Sequence, residues 1–192
     1  WTIIMNNDVI VSNDWIKRLI NSAEKHNLKV ISPALIEGDL NYDLDALAEK
    51  NSALMSDVIR LGHCHAVCMA VHETVWEKIG YFQANPRLLG FEDTLFFDAL
   101  RQQKIRTGMT GAAWIHHYGS ITLSIIKKEQ GLLERDSLSH RKNYKLLNQS
   151  WLERKSRKAT RMYKSSIWRK HEMKNFNKTL HGIRKSNNWE WL

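Results

Sequence analysis

Three groups of residues in this chain have the types and spacing to do chemistry together. Asn6-Asn7-Asp8 follows the β-type run Trp1-Thr2-Ile3-Ile4-Met5, and Gly90-Phe91-Glu92-Asp93 opens a stretch of helical periodicity. A paired histidine then stands in Trp114-Ile115-His116-His117-Tyr118-Gly119-Ser120. A carboxylate at the C-terminal end of a strand suits a divalent metal that holds a diphosphate, because Mg²⁺ and Mn²⁺ favour oxygen ligands. A carboxylate in the first turn of a helix could act as a base. Each motif also has a plainer reading. Asn and Asp dominate turns through local hydrogen bonds, and acids in a first helical turn complement the helix dipole. The combination is what carries weight.

The elements that must position these groups alternate in type. Val9-Ile10-Val11 is a second short strand, after which Ser12 or Asn13 can cap a helix bearing Trp15, Ile16, Leu19, Ile20 and Ala23 at helical spacing. Residues 29–36 read as a strand, with Pro33 marking an edge or a bulge. Residues 37–58 are polar and irregular in period, and read as a surface excursion near a binding face. A strand over 65–71, a short helix over 72–79 and a cap at Gly80 follow. After a loop at 86–90, a helix over 92–103 carries Leu95, Phe96, Ala99 and Leu100, and 105–115 returns to strand character. Beyond Ser120, helical periodicity runs through Leu132-Leu133 to about residue 147. Strands alternating with helices predict an α/β fold with a mixed or mostly parallel sheet.

In this order the motifs resemble the family 2 glycosyltransferases of the GT-A fold. In that family an apolar strand ends in an Asn-Asn-Asp or Asp-x-Asp motif, as Ile3-Ile4-Met5-Asn6-Asn7-Asp8-Val9-Ile10-Val11 does here. Gly62, Met69-Ala70-Val71, Val75 and Ile79-Gly80-Tyr81-Phe82 are similar to its next strand, short helix and turn. Gly90-Phe91-Glu92-Asp93-Thr94 resembles its Gly-x-Glu-Asp-Thr, and His117-Tyr118-Gly119-Ser120-Ile121-Thr122 its final histidine strand. The resemblance covers roughly residues 1–150.

It implies a GT-A (Rossmann-like) mixed sheet flanked by helices, and inverting, metal-dependent transfer of a sugar from a nucleoside-diphosphate sugar to an acceptor hydroxyl. By the same resemblance Asp8 binds Mn²⁺ or Mg²⁺ bridging the donor diphosphate, and Asn6 and Asn7 shape the turn. Asp93 is the general base, Glu92 supports it or orients the acceptor, and His117, with His116 as the fallback, contacts metal or diphosphate. The acceptor could be a saccharide, a lipid-linked molecule or a protein. Gln83, Leu95 and Ala99 depart from residues common in relatives, and no Gln-x-x-Arg-Trp motif of processive synthases occurs. Relatives carry a nucleotide-binding half before the Asp motif. The resemblance therefore implies the C-terminal part of a longer enzyme, N-terminally truncated at Trp1, with weak donor binding and little transfer by the chain alone. Two other readings stay open: a sugar nucleotidyltransferase-like enzyme, and a non-catalytic basic module for polyanions or membranes.

Composition sets the remaining bounds. A chain of 192 residues can bury one substantial core, and no apolar run approaches the roughly 18 residues of a membrane span. Only Cys64 and Cys68 are present, which suggests a reducing compartment, and a cytoplasmic protein is expected. The net charge of +9 is unevenly placed. Residues 151–192 hold twelve Lys or Arg against three Asp or Glu, while residues 1–150 are balanced at seventeen of each. A neutral domain over 1–150 and a basic, Trp-containing helical tail over 151–192 are therefore expected. The plainest reading of the tail is a solvated, partly disordered C-terminus. As a binding surface it suits an anionic membrane better than nucleic acid, because no recognised nucleic-acid motif accompanies the charge. His63-Cys64-His65 with Cys68 has the residue types of a zinc site. On a strand, however, the histidines and the cysteines face opposite sides.

Overall fold

A computed structural model describes residues 1–82, 92–119 and 150–192, together with 125, 128, 129 and 131. The expectations for Gln83, the 86–90 loop, Gly90, Phe91, Ser120, Ile121, Thr122 and the helix through Leu132-Leu133 lie outside the described residues. What is described is an α/β structure: one mixed eight-stranded sheet flanked by helices.

Two parallel strands form its centre, β3 (Val30–Gly38) and β6 (Thr107–His117). Both are buried along nearly their whole length, which is why they read as continuous apolar runs rather than alternating ones. Their register runs from Val30 opposite Thr107 to Glu37 opposite His117, with a shift between Pro33 and Ala34. Pro33 thus sits in a central strand, where the irregularity accommodates its missing N–H. On β6 the shift leaves Gly111, Ala112 and Ala113 without partners on β3. There a Cβ on Gly111 would stand 2.4 Å from the Met55 carbonyl oxygen, so only glycine fits.

The other strands attach to this pair. β5 (Cys68–Val71) runs antiparallel beside the first half of β3, and β1 (Thr2–Met5) runs antiparallel to β5. β4 (Ile59–Leu61) and β2 (Val9–Val11) both pair antiparallel with β6, and β7 (His181–Lys185) runs parallel to the second half of β3. β8 (Asn188–Trp191) completes a hairpin with β7. These registers bring the C-terminal ends of β1, β3 and β6 to the same edge of the sheet, and the Asn6-Asn7-Asp8 turn crosses that edge.

Helices cover both faces. α1 (Trp15–Lys25) buries Trp15, Leu19, Ser22 and Ala23, and packs with α2 (Leu44–Met55) in the larger core around Trp114. α3 (Glu73–Ile79) and α4 (Glu92–Gln102) enclose a second cluster with Val75, Phe96 and Leu100. Gly80 ends α3 at φ 74, and its N–H donates to the Trp76 carbonyl as expected of a cap. α5 (Trp151–Phe176) opens with a capping box between Ser150 and Glu153.

Four expectations change. Neither Ser12 nor Asn13 caps α1; the Ser12 hydroxyl donates to the Trp114 carbonyl at 2.8 Å, and Asp14 holds the cap position without a side-chain bond. The segment 37–58 contains α2, whose buried stripe includes Asn51 and Ser52; Ser52 bonds the Ala112 carbonyl at the β6 irregularity, and these polar members mask the period. β5 begins at Cys68, so His63, Cys64 and His65 lie in a loop rather than on a strand. The last residues are not a tail apart from the core. Leu180 is fully buried, and β7 and β8 extend the sheet through a turn in which Ser186 and Asn187 both take positive φ, as a tight hairpin requires.

Candidate functional site

The sheet edge gathers charged and imidazole side chains from five segments. Asp8 follows β1, Glu37 lies near the end of β3, His117 ends β6, His181 begins β7 and His65 belongs to the loop before β5. His117 Nε2 lies 3.2 Å from Asp8 Oδ1, although the two residues are far apart in sequence. Its other nitrogen, Nδ1, is 3.1 Å from Glu37 Oε1. The second Glu37 oxygen meets His181 Nε2 at 2.8 Å. The edge of the His65 ring packs on His181 with centroids 5.0 Å apart, and His63 packs on His65 in the same way at 4.9 Å. Carboxylates and imidazoles therefore alternate from Asp8 to His181, and the ladder continues through two more histidines.

Burial and pairing set the charges along this ladder. The Glu37 carboxyl is pulled down from an ordinary 4.5 to about 2, chiefly by the hydrogen bond from His181, with His117 adding to it while burial opposes. Burial pulls the His63 imidazole down to about 4 and the His65 imidazole to about 3, so both are neutral at pH 7. Burial also pushes the Cys64 and Cys68 thiols up to about 12, which leaves them unreactive as nucleophiles.

His116 faces the other way from His117, as neighbours on a strand must. Its Nδ1 meets the Tyr42 hydroxyl at 2.9 Å, burial lowers its pKa, and its ring packs edge-on against Tyr118. Its Nε2 is buried without a hydrogen-bond partner, and the ring stands apart from the Asp8 group. Asn6 and Asn7 are exposed in the turn, where the Asn6 N–H donates to the Val67 carbonyl and the Asp8 carbonyl accepts from Tyr118 N–H.

Asp93 stands elsewhere on the surface, in the first turn of α4. Its carboxylate accepts from the Thr94 N–H at 2.6 Å, and it lines a cleft of about 1960 Å³ between α4 and α5. His63 and His65 line the same cleft, so the ladder from Asp8 reaches it. Asp8, His117 and Glu92 are not among the described residues that line it. Asp98, buried at 6% exposure, pairs with Arg101 on its own helix and with Arg157 of α5 at 3.2 Å, which ties the two walls together. No protein-family model matches the chain, and neither a curated protein nor a solved structure does.

Whether a divalent metal suits this place turns on His117 Nε2. That nitrogen is buried and makes no hydrogen bond, although it faces a carboxylate at 3.2 Å. In the tautomer with Nδ1–H donating to Glu37, the Nε2 lone pair points toward Asp8, and two acceptors face one another. Asp8 and His117 would then be the residues to hold a divalent ion here, which would give the Nε2 lone pair the partner it lacks. A carboxylate behind a histidine ligand is also the arrangement that fixes its tautomer and raises its basicity. Among the described residues, no group of three or more His, Cys, Asp or Glu could hold a metal alone. The protein would thus supply two ligands and leave the rest to phosphate oxygens and water, the mode Mg²⁺ favours.

The sequence reading missed Glu37 and His181. Glu37 had a visible signal, an acid ending the apolar run Val30–Gly38. His181 had none, because its place depends on β7 pairing with β3 from the far end of the chain.

Proposed function

We propose that this chain carries the GT-A catalytic core of an inverting glycosyltransferase similar to family 2, transferring a sugar from a nucleoside-diphosphate donor to an acceptor hydroxyl. The observation that carries the reading is the meeting of Asp8 and His117 at the sheet edge, 3.2 Å apart, with Glu37 behind the histidine. Ligands of open α/β sheets sit outside strand C-termini, where these residues stand. Asp8 and His117 would hold Mn²⁺ or Mg²⁺, which when bound offsets the charge of the departing diphosphate. Glu37 keeps the His117 ring in place through Nδ1.

Asp93 lines the cleft and Asp8 and His117 do not, so this reading requires the donor sugar to extend from the sheet edge past His65 and His63 into the cleft, where the Asp93 carboxylate would accept the acceptor's hydroxyl proton. The acceptor oxygen then bonds the anomeric carbon as the bond from that carbon to the diphosphate oxygen breaks, with inversion. The hydrogen bond from Thr94 N–H holds one Asp93 oxygen and leaves the other for the proton. The test is Asp93→Asn in the protein that carries these residues. Transfer should fall by roughly 10²–10⁴-fold while donor binding survives; equal loss of both would make Asp93 a binding residue.

The cations of the cleft favour a second reading, a binding module for polyanions without catalysis. Salt-sensitive polyanion affinity with no metal-dependent binding of nucleoside diphosphates would select it.

A further inference from the structure

We propose that the cleft between α4 and α5 binds a polyanionic, phosphate-bearing glycan chain, and that this chain is the acceptor whose hydroxyl Asp93 deprotonates. The second clause rests on the role given to Asp93 above; the first stands on the cleft alone. Among its described lining residues, nine are Lys or Arg and two are acids, Asp93 and Asp98. Asp98 is already engaged by Arg101 and Arg157. His63 and His65, in the cleft wall, are kept neutral by burial and contribute no opposing charge. The cleft is therefore strongly cationic with a single carboxylate left at its α4 wall.

The arrangement of these cations indicates a chain rather than one phosphate. Arg154, Lys158, Arg161 and Lys164 recur every three or four residues, so they form one stripe along α5. Between Arg154 and Lys164 the helix rises about 15 Å, and between Trp151 and Trp168, which also line the cleft, about 25 Å. One phosphate group spans a fraction of that length. Among the described residues no carboxylate pairs with Lys158, Arg161 or Lys164, and like charges at this spacing weaken the helix that bears them. The stripe is thus a cost to folding that a bound polyanion relieves. Trp151, 62% exposed at one end, presents an apolar ring of the kind that sugar rings pack against.

Other polyanions fit less well. Single-stranded nucleic acid sites interleave aromatic rings with cations so that successive bases stack, whereas along the α5 stripe the lining aromatic rings, Trp151 and Trp168, stand only at its two ends. A bilayer is flat, and these cations line a concave cleft. The exposed apolar residues Leu152, Tyr163 and Ile167 of α5 lie on its opposite side by helical spacing.

The experiment is a fluorescence titration of the full chain with poly(glycerol phosphate), a neutral dextran of matched length, a single-stranded RNA and vesicles of phosphatidylglycerol and phosphatidylcholine. The phosphate chain should bind at least roughly tenfold tighter than dextran, and lose at least tenfold between roughly 50 and 200 mM salt. A variant with Lys158→Glu, Arg161→Glu and Lys164→Glu, all at exposed positions, should lose that binding while its circular dichroism is unchanged. Equal affinity for dextran, full binding by the triple variant, or tighter competing binding of RNA or vesicles would overturn the proposal. Binding as expected, with no sugar added to the phosphate chain by the protein that carries these residues in the presence of donor and metal, would refute the transferase reading and leave the ligand class standing.

Discussion

Replacing Glu37 with Gln keeps the shape of the side chain and removes one charge from between two imidazoles. The native carboxylate joins three strands, because it lies on β3 and bonds His117 of β6 and His181 of β7. Its pKa, displaced from 4.5 to about 2, measures how much the folded state favours the ionised form. At about 1.4 kcal/mol for each pH unit, the displacement has a ceiling of about 3.4 kcal/mol. The side chain is 30% exposed, so solvent screening reduces the effect, and about 1.5–2 kcal/mol is expected. Because the folded pKa is depressed, this stability is present in full above about pH 4.5 and is lost as the pH falls toward 2. Urea unfolding at pH 7 should show Glu37→Gln less stable by that amount, or about 5 °C in Tm for a chain of this size. The difference from the native protein should shrink steadily on acidification through the window. An unchanged midpoint at pH 7, or a difference that does not shrink as pH falls, would show that the ladder is not held by charge.

Other outcomes follow from neighbouring contacts. Arg60 and Glu172 form a buried, two-pronged ion pair with both bonds at 2.7 Å, and Glu172 also accepts from Leu180 N–H at 2.9 Å. Glu172→Ala leaves the guanidinium buried without its partner and should cost about 3–5 kcal/mol in chemical denaturation. His63 and His65 stay neutral when folded but take up protons when unfolded, so stability should decline as pH falls from about 6.5 toward 4. His65→Asn should flatten that decline in urea midpoints measured across the same range.

The alternation of strand and helix was legible because β3, β6, α1 and α4 are long and strongly patterned. Polar residues that serve the interior hid α2, since Asn51 and Ser52 occupy its buried stripe to bond Lys178 and the Ala112 carbonyl. Charge hid the end of the chain in a different way. Lys and Arg dominate the composition after residue 150, yet Leu180 and the β7–β8 hairpin are bound into the sheet by long-range pairing that no local pattern reports. For the site, only the order of motifs and their resemblance to a known family pointed to Asp8, Asp93 and His117. Glu37 and His181 depend on strand register and became visible only with the sheet assembled.

No helix of the described residues is long and apolar enough to cross a membrane. The most direct test of the central claim, that Asp8 and His117 hold a divalent cation against a diphosphate, is calorimetric titration of the chain with nucleoside diphosphates, with Mn²⁺ and with chelator. Binding should require Mn²⁺ and disappear in Asp8→Ala, because that change removes the charged ligand. Glu37→Gln should weaken it by roughly 10–100-fold through the loosened His117. Diphosphate binding of equal strength in chelator, or in Asp8→Ala with Mn²⁺ present, would contradict the account.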